Sequence, residues 1–302
     1  MGAVVMWMLL WGPFALAVLV GVLLHLQNRG SRVPLPSRLR VISALAGGVP
    51  AVIIGLAPVA LFLWRPGLGM PLEMRALLPL LLGIASATLL TAPRRRRRAP
   101  AAADLSPRGM RAFVPRAWPT SMAVLAVAII AITIAAGSAS SPDEFGRFTE
   151  YSIVIGTSGT EIRSGIYGWY YSVPSLIALA ALVVVTVVAW ASISHPAWDD
   201  DVEHDAALRR FRSSLVGRAA LGALLTHLSV VLRSLASTAS MQGTAASAEL
   251  GEVSVGTPFA AIAPALTWTA YAAVIAGLTL WVMVALSALP ARARRHAEPV
   301  AE

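Results

Sequence analysis

Seven long apolar stretches punctuate this 302-residue chain, near Val4–Leu26, Val41–Trp64, Ala76–Ala92, Pro119–Gly137, Tyr170–Ser192, Ser214–Leu235 and Ile262–Leu289. A helix rises about 1.5 Å per residue and a hydrocarbon core is about 30 Å thick, so each stretch can cross a bilayer with some tilt or mismatch. Inside lipid every backbone amide must find its partner within the protein, which makes these spans helices. The pattern predicts an all-α membrane protein. It is a single seven-transmembrane helical bundle over residues 1–302, with a cytoplasmic tail at 290–302. The third span is short and contains Pro79, and the sixth is the least apolar.

Composition agrees with that class. Only 13% of the residues are charged and 57% are hydrophobic, where a soluble domain carries about 25% charged residues. Cysteine is absent, which removes disulfides, thiolate nucleophiles and cysteine metal ligands. All 24 basic residues are arginine. The missing lysine excludes a Schiff base, and with it a retinal protein, as well as the usual phosphate-binding loop. The net charge of +9 sits in short segments between apolar spans. Membrane topology accounts for it better than nucleic-acid binding.

Arginine placement orients the bundle. Arg29, Arg32, Arg38 and Arg40 follow span 1, and Arg94–Arg98, Arg108, Arg111 and Arg116 follow span 3. Arg209, Arg210 and Arg212 precede span 6, and Arg292, Arg294 and Arg295 follow span 7. The opposite side holds Arg65, Arg75, Arg147 and Arg163. The rich side is cytoplasmic by the positive-inside rule, so the N-terminus is outside and the C-terminus inside. Trp64, Trp169, Tyr170, Tyr171 and Trp268 then fall near the outer interface, and Trp118, Trp190 and Trp198 near the inner one. Span 1 lacks a basic N-terminal region and is too long for a signal peptide, so it reads as an uncleaved anchor.

The connections differ in character. Pro93–Arg116 is a basic loop. Ser138–Gly168 is the longest outer loop. Within it, Phe148–Ile155 and Thr160–Ile166 flank Gly156-Thr157-Ser158-Gly159, the pattern of a short β-hairpin between spans 4 and 5. Ala236–Ala261 carries no strong structural signal.

Span 6 holds the most informative pattern. Ser214, Arg218, Gly222, Thr226, Ser229, Arg233 and Ser237 recur at helical spacing and form one polar or small stripe. Such a stripe is costly against lipid and is expected to face other helices, a cavity or a partner. Arg218 and Arg233 lie roughly 22 Å apart along the axis. Each is close enough to an interface to snorkel, and each could instead bind an anion or lipid headgroup. His227 points about 180° away from Arg218 and has no carboxylate in any span to relay protons with. It reads as a neutral histidine donating to a carbonyl or serine. Span 2 carries Gly47, Gly48, Pro50, Gly55 and Pro58, a pattern for kinked packing or a broken helix.

Asp199, Asp200, Asp201, Glu203, His204 and Asp205 precede Arg209, Arg210 and Arg212. Acid before base suits a solvated helix start with i,i+4 pairing, and the spacing matches no calcium loop. The run Arg94, Arg95, Arg96, Arg97 and Arg98 lies next to the membrane, where it would attract anionic lipid headgroups. No cofactor, metal site or catalytic constellation is recognisable.

Gly168-Trp169-Tyr170-Tyr171-Ser172-Val173-Pro174, the preceding loop and the acidic-to-basic segment after span 5 resemble uncharacterised actinobacterial multi-pass integral membrane proteins. The likeness covers Phe148–Arg212. It implies a bacterial cytoplasmic membrane and carries over no activity or catalytic residue.

Three functions follow in order. The first is a non-enzymatic accessory or scaffold subunit of a membrane complex, in contact with the bilayer and a partner protein. The second is a transporter or channel for a small or anionic solute using the span 6 stripe. The third is a membrane enzyme acting on lipid or cell-wall precursors through Asp143, Glu144, Glu150 or Glu161.

Overall fold

The computed structural model describes residues 2–28, 35–63, 72–91, 109–155, 160–194, 202–247 and 251–290. Arg94–Arg98, His195, Asp199–Asp201, Gly156–Gly159 and residues 291–302 lie outside the described residues. The helices are α1 (Gly2–Gln27), α2 (Ser37–Leu63), α3 (Leu72–Leu90), the short α4 (Met110–Phe113), α5 (Ala117–Ser138), α6 (Trp169–Ser194), α7 (Val202–Ala239) and α8 (Ala263–Leu286). Helix α2 runs unbroken through Pro50 and Pro58.

Six helices, α2, α3, α5, α6, α7 and α8, contain apolar stretches long enough to cross a membrane. The chain is a multi-pass helical membrane protein. Helix α1 packs with them: Thr279 Oγ1 donates to the Ala17 carbonyl at 3.3 Å, and Val282 fills the space over Gly21.

Lipid inverts the usual burial rule, because a helix apolar on every face can sit at the perimeter. The least apolar span belongs where other helices cover it. Helix α7 occupies that place. In its most apolar stretch 83% of the residues are buried, against 28% to 44% in the other five spans. Helices α8, α3, α5 and α6 surround it. Gly222 lies against Gly277 of α8, Ala223 against Gly83 of α3, Gly217 against Trp118 of α5, and the Ser213 carbonyl accepts from Trp190 Nε1 of α6 at 3.0 Å.

The bundle has two unlike ends. One carries β-structure. Strands β1 (Ser141–Pro142), β2 (Phe148–Ile155) and β3 (Thr160–Gly165) form an antiparallel sheet in the order β1-β2-β3, with Ile153 opposite Ile162. Strands β4 (Gln242–Ser247) and β5 (Gly251–Gly256) form a second antiparallel pair. The segment after α7 is therefore a strand pair, although its sequence carried no strong signal. Val253 and Val255 alternate with polar residues there, a period of two too short to stand out among small residues.

The two sheets join into one cap. Ile162 lies over Gly243, and the Tyr151 and Phe259 rings meet edge to face at 5.4 Å. The cap stands on the end of α7. Thr238 Oγ1 donates to the Gly165 carbonyl at 2.8 Å, and Thr257 Oγ1 donates to the Ala239 carbonyl at 2.8 Å. The opposite end gathers Arg38, Arg40, Arg111, Arg116, Arg209, Arg210 and Arg212 at the termini of α2, α4, α5 and α7.

Candidate functional site

The polar residues of α7 divide among three surroundings, each with its own chemistry. The stripe comes first. Gly222, Thr226 and Ser229 are buried at the contact with α8. A Cβ on Gly277 would meet Thr226 Cγ2 at 2.7 Å and the Gly222 carbonyl at 2.8 Å. Thr226 Oγ1 returns its proton to the Gly222 carbonyl at 2.8 Å. The middle of the stripe is thus a close helix crossing between small residues, the arrangement that gives membrane helices their dispersion contacts.

Its ends open outward. Ser214 and Arg218 are half-buried near the arginine end, and Arg233 and Ser237 are exposed near the cap. Ser214 Oγ donates to the Phe211 carbonyl at 2.7 Å. Arg233 stacks on Tyr271 of α8, with the guanidinium carbon 5.0 Å from the ring centre.

The second surrounding lies at the arginine end and differs from the sequence expectation. Residues 202–213 belong to α7 itself, so Glu203–Arg212 is a helix start, as acid before base suits. Asp205 pairs with Arg209 at i,i+4 as their order predicts, but the pair is not solvated. The Asp205 and Arg209 side chains are 7% and 2% exposed. A carboxylate therefore does lie within this helix.

Arg209 Nη1 donates to the Ser194 carbonyl at 3.1 Å, and its guanidinium carbon sits 5.0 Å over the Phe113 ring. Arg212 Nη2 donates to the Leu90 carbonyl at 3.1 Å. Ser194 and Leu90 are the last residues of α6 and α3, where carbonyls lack helical partners. Each helix end carries roughly half a negative charge. Arg209 and Arg212 thus set positive charge against those two ends. The cluster closes the bundle electrostatically.

The third surrounding is opposite the stripe, beneath the cap. His227 Nδ1 lies 2.8 Å from the Ala76 carbonyl. A carbonyl only accepts, so Nδ1 carries the proton. Ala76 lies in the turn of α3 that Pro79 loosens. The His227 ring meets Tyr167 edge-on at 6.2 Å, and Tyr167 stacks on Tyr171 at 6.4 Å. His227 Nε2 and Tyr167 Oη are buried without a hydrogen-bonded partner among the described residues. Burial pushes the Tyr167 hydroxyl up to about 12, so it stays protonated and donor-competent.

The carboxylates of the cap are held by arginines. Asp143 accepts from the amides of Phe145 and Arg147 at 2.9 and 2.8 Å, from Arg147 Nε at 2.9 Å and from Thr149 Oγ1 at 3.1 Å. Burial raises its pKa, and these four donors outweigh that to leave it below 3.8. Glu161 and Glu150 both pair with Arg163, at 2.8 and 3.4 Å. A general acid needs the opposite shift from that of Asp143. Glu144 lies in the exposed turn with Gly146, whose φ is +75°.

The architecture defines a multi-pass membrane protein whose central helix is polar and enclosed. Comparison of the chain with family models, curated proteins and solved structures found no match.

Proposed function

We propose that this chain is a non-enzymatic accessory or scaffold subunit of a membrane complex. It crosses the cytoplasmic membrane of a bacterium seven times, with the N-terminus and the cap outside and the C-terminus inside. The packing of α1 on α8 supports a seventh span. The division of charge supports the orientation. Arg38, Arg40, Arg111, Arg116, Arg209, Arg210 and Arg212 gather at one end, against Arg75, Arg147 and Arg163 at the other.

One observation carries the reading. The central helix turns the polar groups of its enclosed stretch on its neighbours: the middle of the stripe on α8, His227 on α3, and Arg209 and Arg212 on the ends of α6 and α3. A solute pathway would need polar groups facing water, and a hydrolytic site would need carboxylates free of their arginines. The exposed cap, with Phe148 and Val154 on its surface, is the face offered to a partner.

The absence of cysteine makes the test direct. Single cysteines at Thr226 and Ser229 are expected to resist a charged, membrane-impermeant thiol reagent in intact membranes. Modification of either from one side would replace the scaffold reading with transport. Purification from native membranes in mild detergent should return a stoichiometric partner, lost when Phe148 and Val154 are replaced by aspartate.

A further inference from the structure

The seam between α7 and α8 carries a positive charge that no carboxylate neutralises among the described residues. At the cap end, Asp143 neutralises Arg147, and Glu150 with Glu161 neutralises Arg163. Arg233 is exposed and has no carboxylate within ion-pair distance among the described residues. Its contacts are with an aromatic ring: the guanidinium carbon lies 5.0 Å from the centre of Tyr271, and Nη2 donates to the Tyr271 hydroxyl at 3.4 Å. A guanidinium has five N–H donors, so most of its capacity faces outward.

The surroundings specify what meets it. Trp268 lies one turn before Tyr271 on α8, 6.2 Å away ring to ring, and is 73% exposed. Ile262, just before α8, is 50% exposed. Arg233 lies about a turn and a half from the end of α7, and Trp268 a similar distance from the start of α8. That depth is the headgroup level, where tryptophan and tyrosine rings prefer to lie. A phospholipid at that depth brings a phosphate to the guanidinium and lays its acyl chains against the bundle on the side away from the cap, while Trp268 and Ile262, nearer the cap, meet the headgroup layer.

We propose that Arg233, Tyr271 and Trp268 form a binding site for the phosphate of an anionic phospholipid headgroup, in the leaflet at the cap end. Arg233 supplies the charge and a pair of N–H donors. Tyr271 fixes the guanidinium from one face, and its hydroxyl can donate to a phosphate oxygen while accepting from Arg233. Trp268, one turn nearer the cap, covers the headgroup beyond the phosphate. This rests on the chain being embedded in a membrane and is independent of whether it serves as a subunit.

The experiment uses the full chain in mild detergent, titrated with phosphatidylglycerol or phosphatidylcholine and read by native mass spectrometry. The wild type should hold one more phosphatidylglycerol per chain than Arg233→Gln, with retention at that site reduced about fivefold, the equivalent of one interfacial charge. Arg233→Lys should keep part of the preference, and Trp268→Ala, on an exposed side chain, should weaken both lipids alike. Arg163→Gln, which removes an arginine already neutralised in the cap, should leave the phosphatidylglycerol count unchanged. The proposal is overturned if Arg233→Gln retains the wild-type count. It is equally overturned if millimolar inorganic phosphate displaces the lipid, which would make the site one for a soluble anion.

Discussion

Asp205 and Arg209 hold opposite charges almost out of reach of solvent, and their stability depends on each other. Removing one partner strands the other, at a cost of about 3–5 kcal/mol for buried pairs. Asp205→Asn is therefore expected to lower the thermal unfolding midpoint in detergent sharply, and Asp205→Leu with Arg209→Leu by less than the two single changes together. A wild-type midpoint for Asp205→Asn would show that the pair is not buried. Asp143 differs in its donors, since two backbone amides hold its carboxylate alongside Arg147 and Thr149. Its folded pKa lies below 3.8, so the ionised form stabilises the fold. That contribution is present above 3.8 and is lost as pH falls through the lowered folded value. The gap in unfolding midpoint between wild type and Asp143→Asn should be full at neutral pH and close on acidification below about 4. A gap that persists at low pH would contradict the assignment.

Among the elements, α2 offers a comparison between adjacent residues. A Cβ on Gly47 would run into the backbone of Trp281, Val284 and Ala285 on α8, whereas a Cβ on Gly48 meets nothing within 4 Å. Gly48→Ala should stabilise by up to about 1 kcal/mol through helix propensity alone. Gly47→Ala should destabilise by about 1–3 kcal/mol, because backbone cannot yield as a side-chain tip can. Thermal melts of the two variants should move in opposite directions. Equal shifts would mean that α2 and α8 are further apart than described. Helix α7 illustrates the same physics at its middle, where Gly222 and Gly277 let two backbones approach. Its charged start read in the sequence as a solvated helix start, and its enclosure was hidden. Inside the bundle, the ends of α3 and α6 supply what water would have.

For the molecule as a whole, sidedness is the property that decides where a partner could bind. An export-dependent reporter enzyme fused after Arg116 should be silent, and one fused after Met241 active. The reverse pattern would place the cap in the cytoplasm and remove the outer docking surface. Cysteines on the perimeter, such as Val127→Cys on α5, should react with apolar but not charged maleimides, while Val154→Cys in the cap should react with both. Reaction of Val127→Cys with the charged reagent would argue against its facing lipid.

The apolar stretches determined by themselves that this is a helical membrane protein, because a lipid solvent leaves a backbone few other ways to satisfy its hydrogen bonds. The helical spacing of Ser214 to Ser237 was legible as well. The i,i+4 relation of Asp205 to Arg209 followed from local geometry, and a carbonyl or serine as the acceptor of His227 followed from the absence of carboxylates in the predicted spans. What the sequence left open was which helix stands in the middle and what each polar residue touches. The low polarity contrast between perimeter spans gives them no preferred face, so neighbours are chosen by shape, through contacts such as Gly47 with α8 and Gly222 with Gly277. The β4–β5 pair, the enclosure of Arg209 and Arg212, and the isolation of Arg233 from any described carboxylate all depend on residues far apart in the chain. Only tertiary packing brings those together, since charge and burial are properties of surroundings rather than of residues.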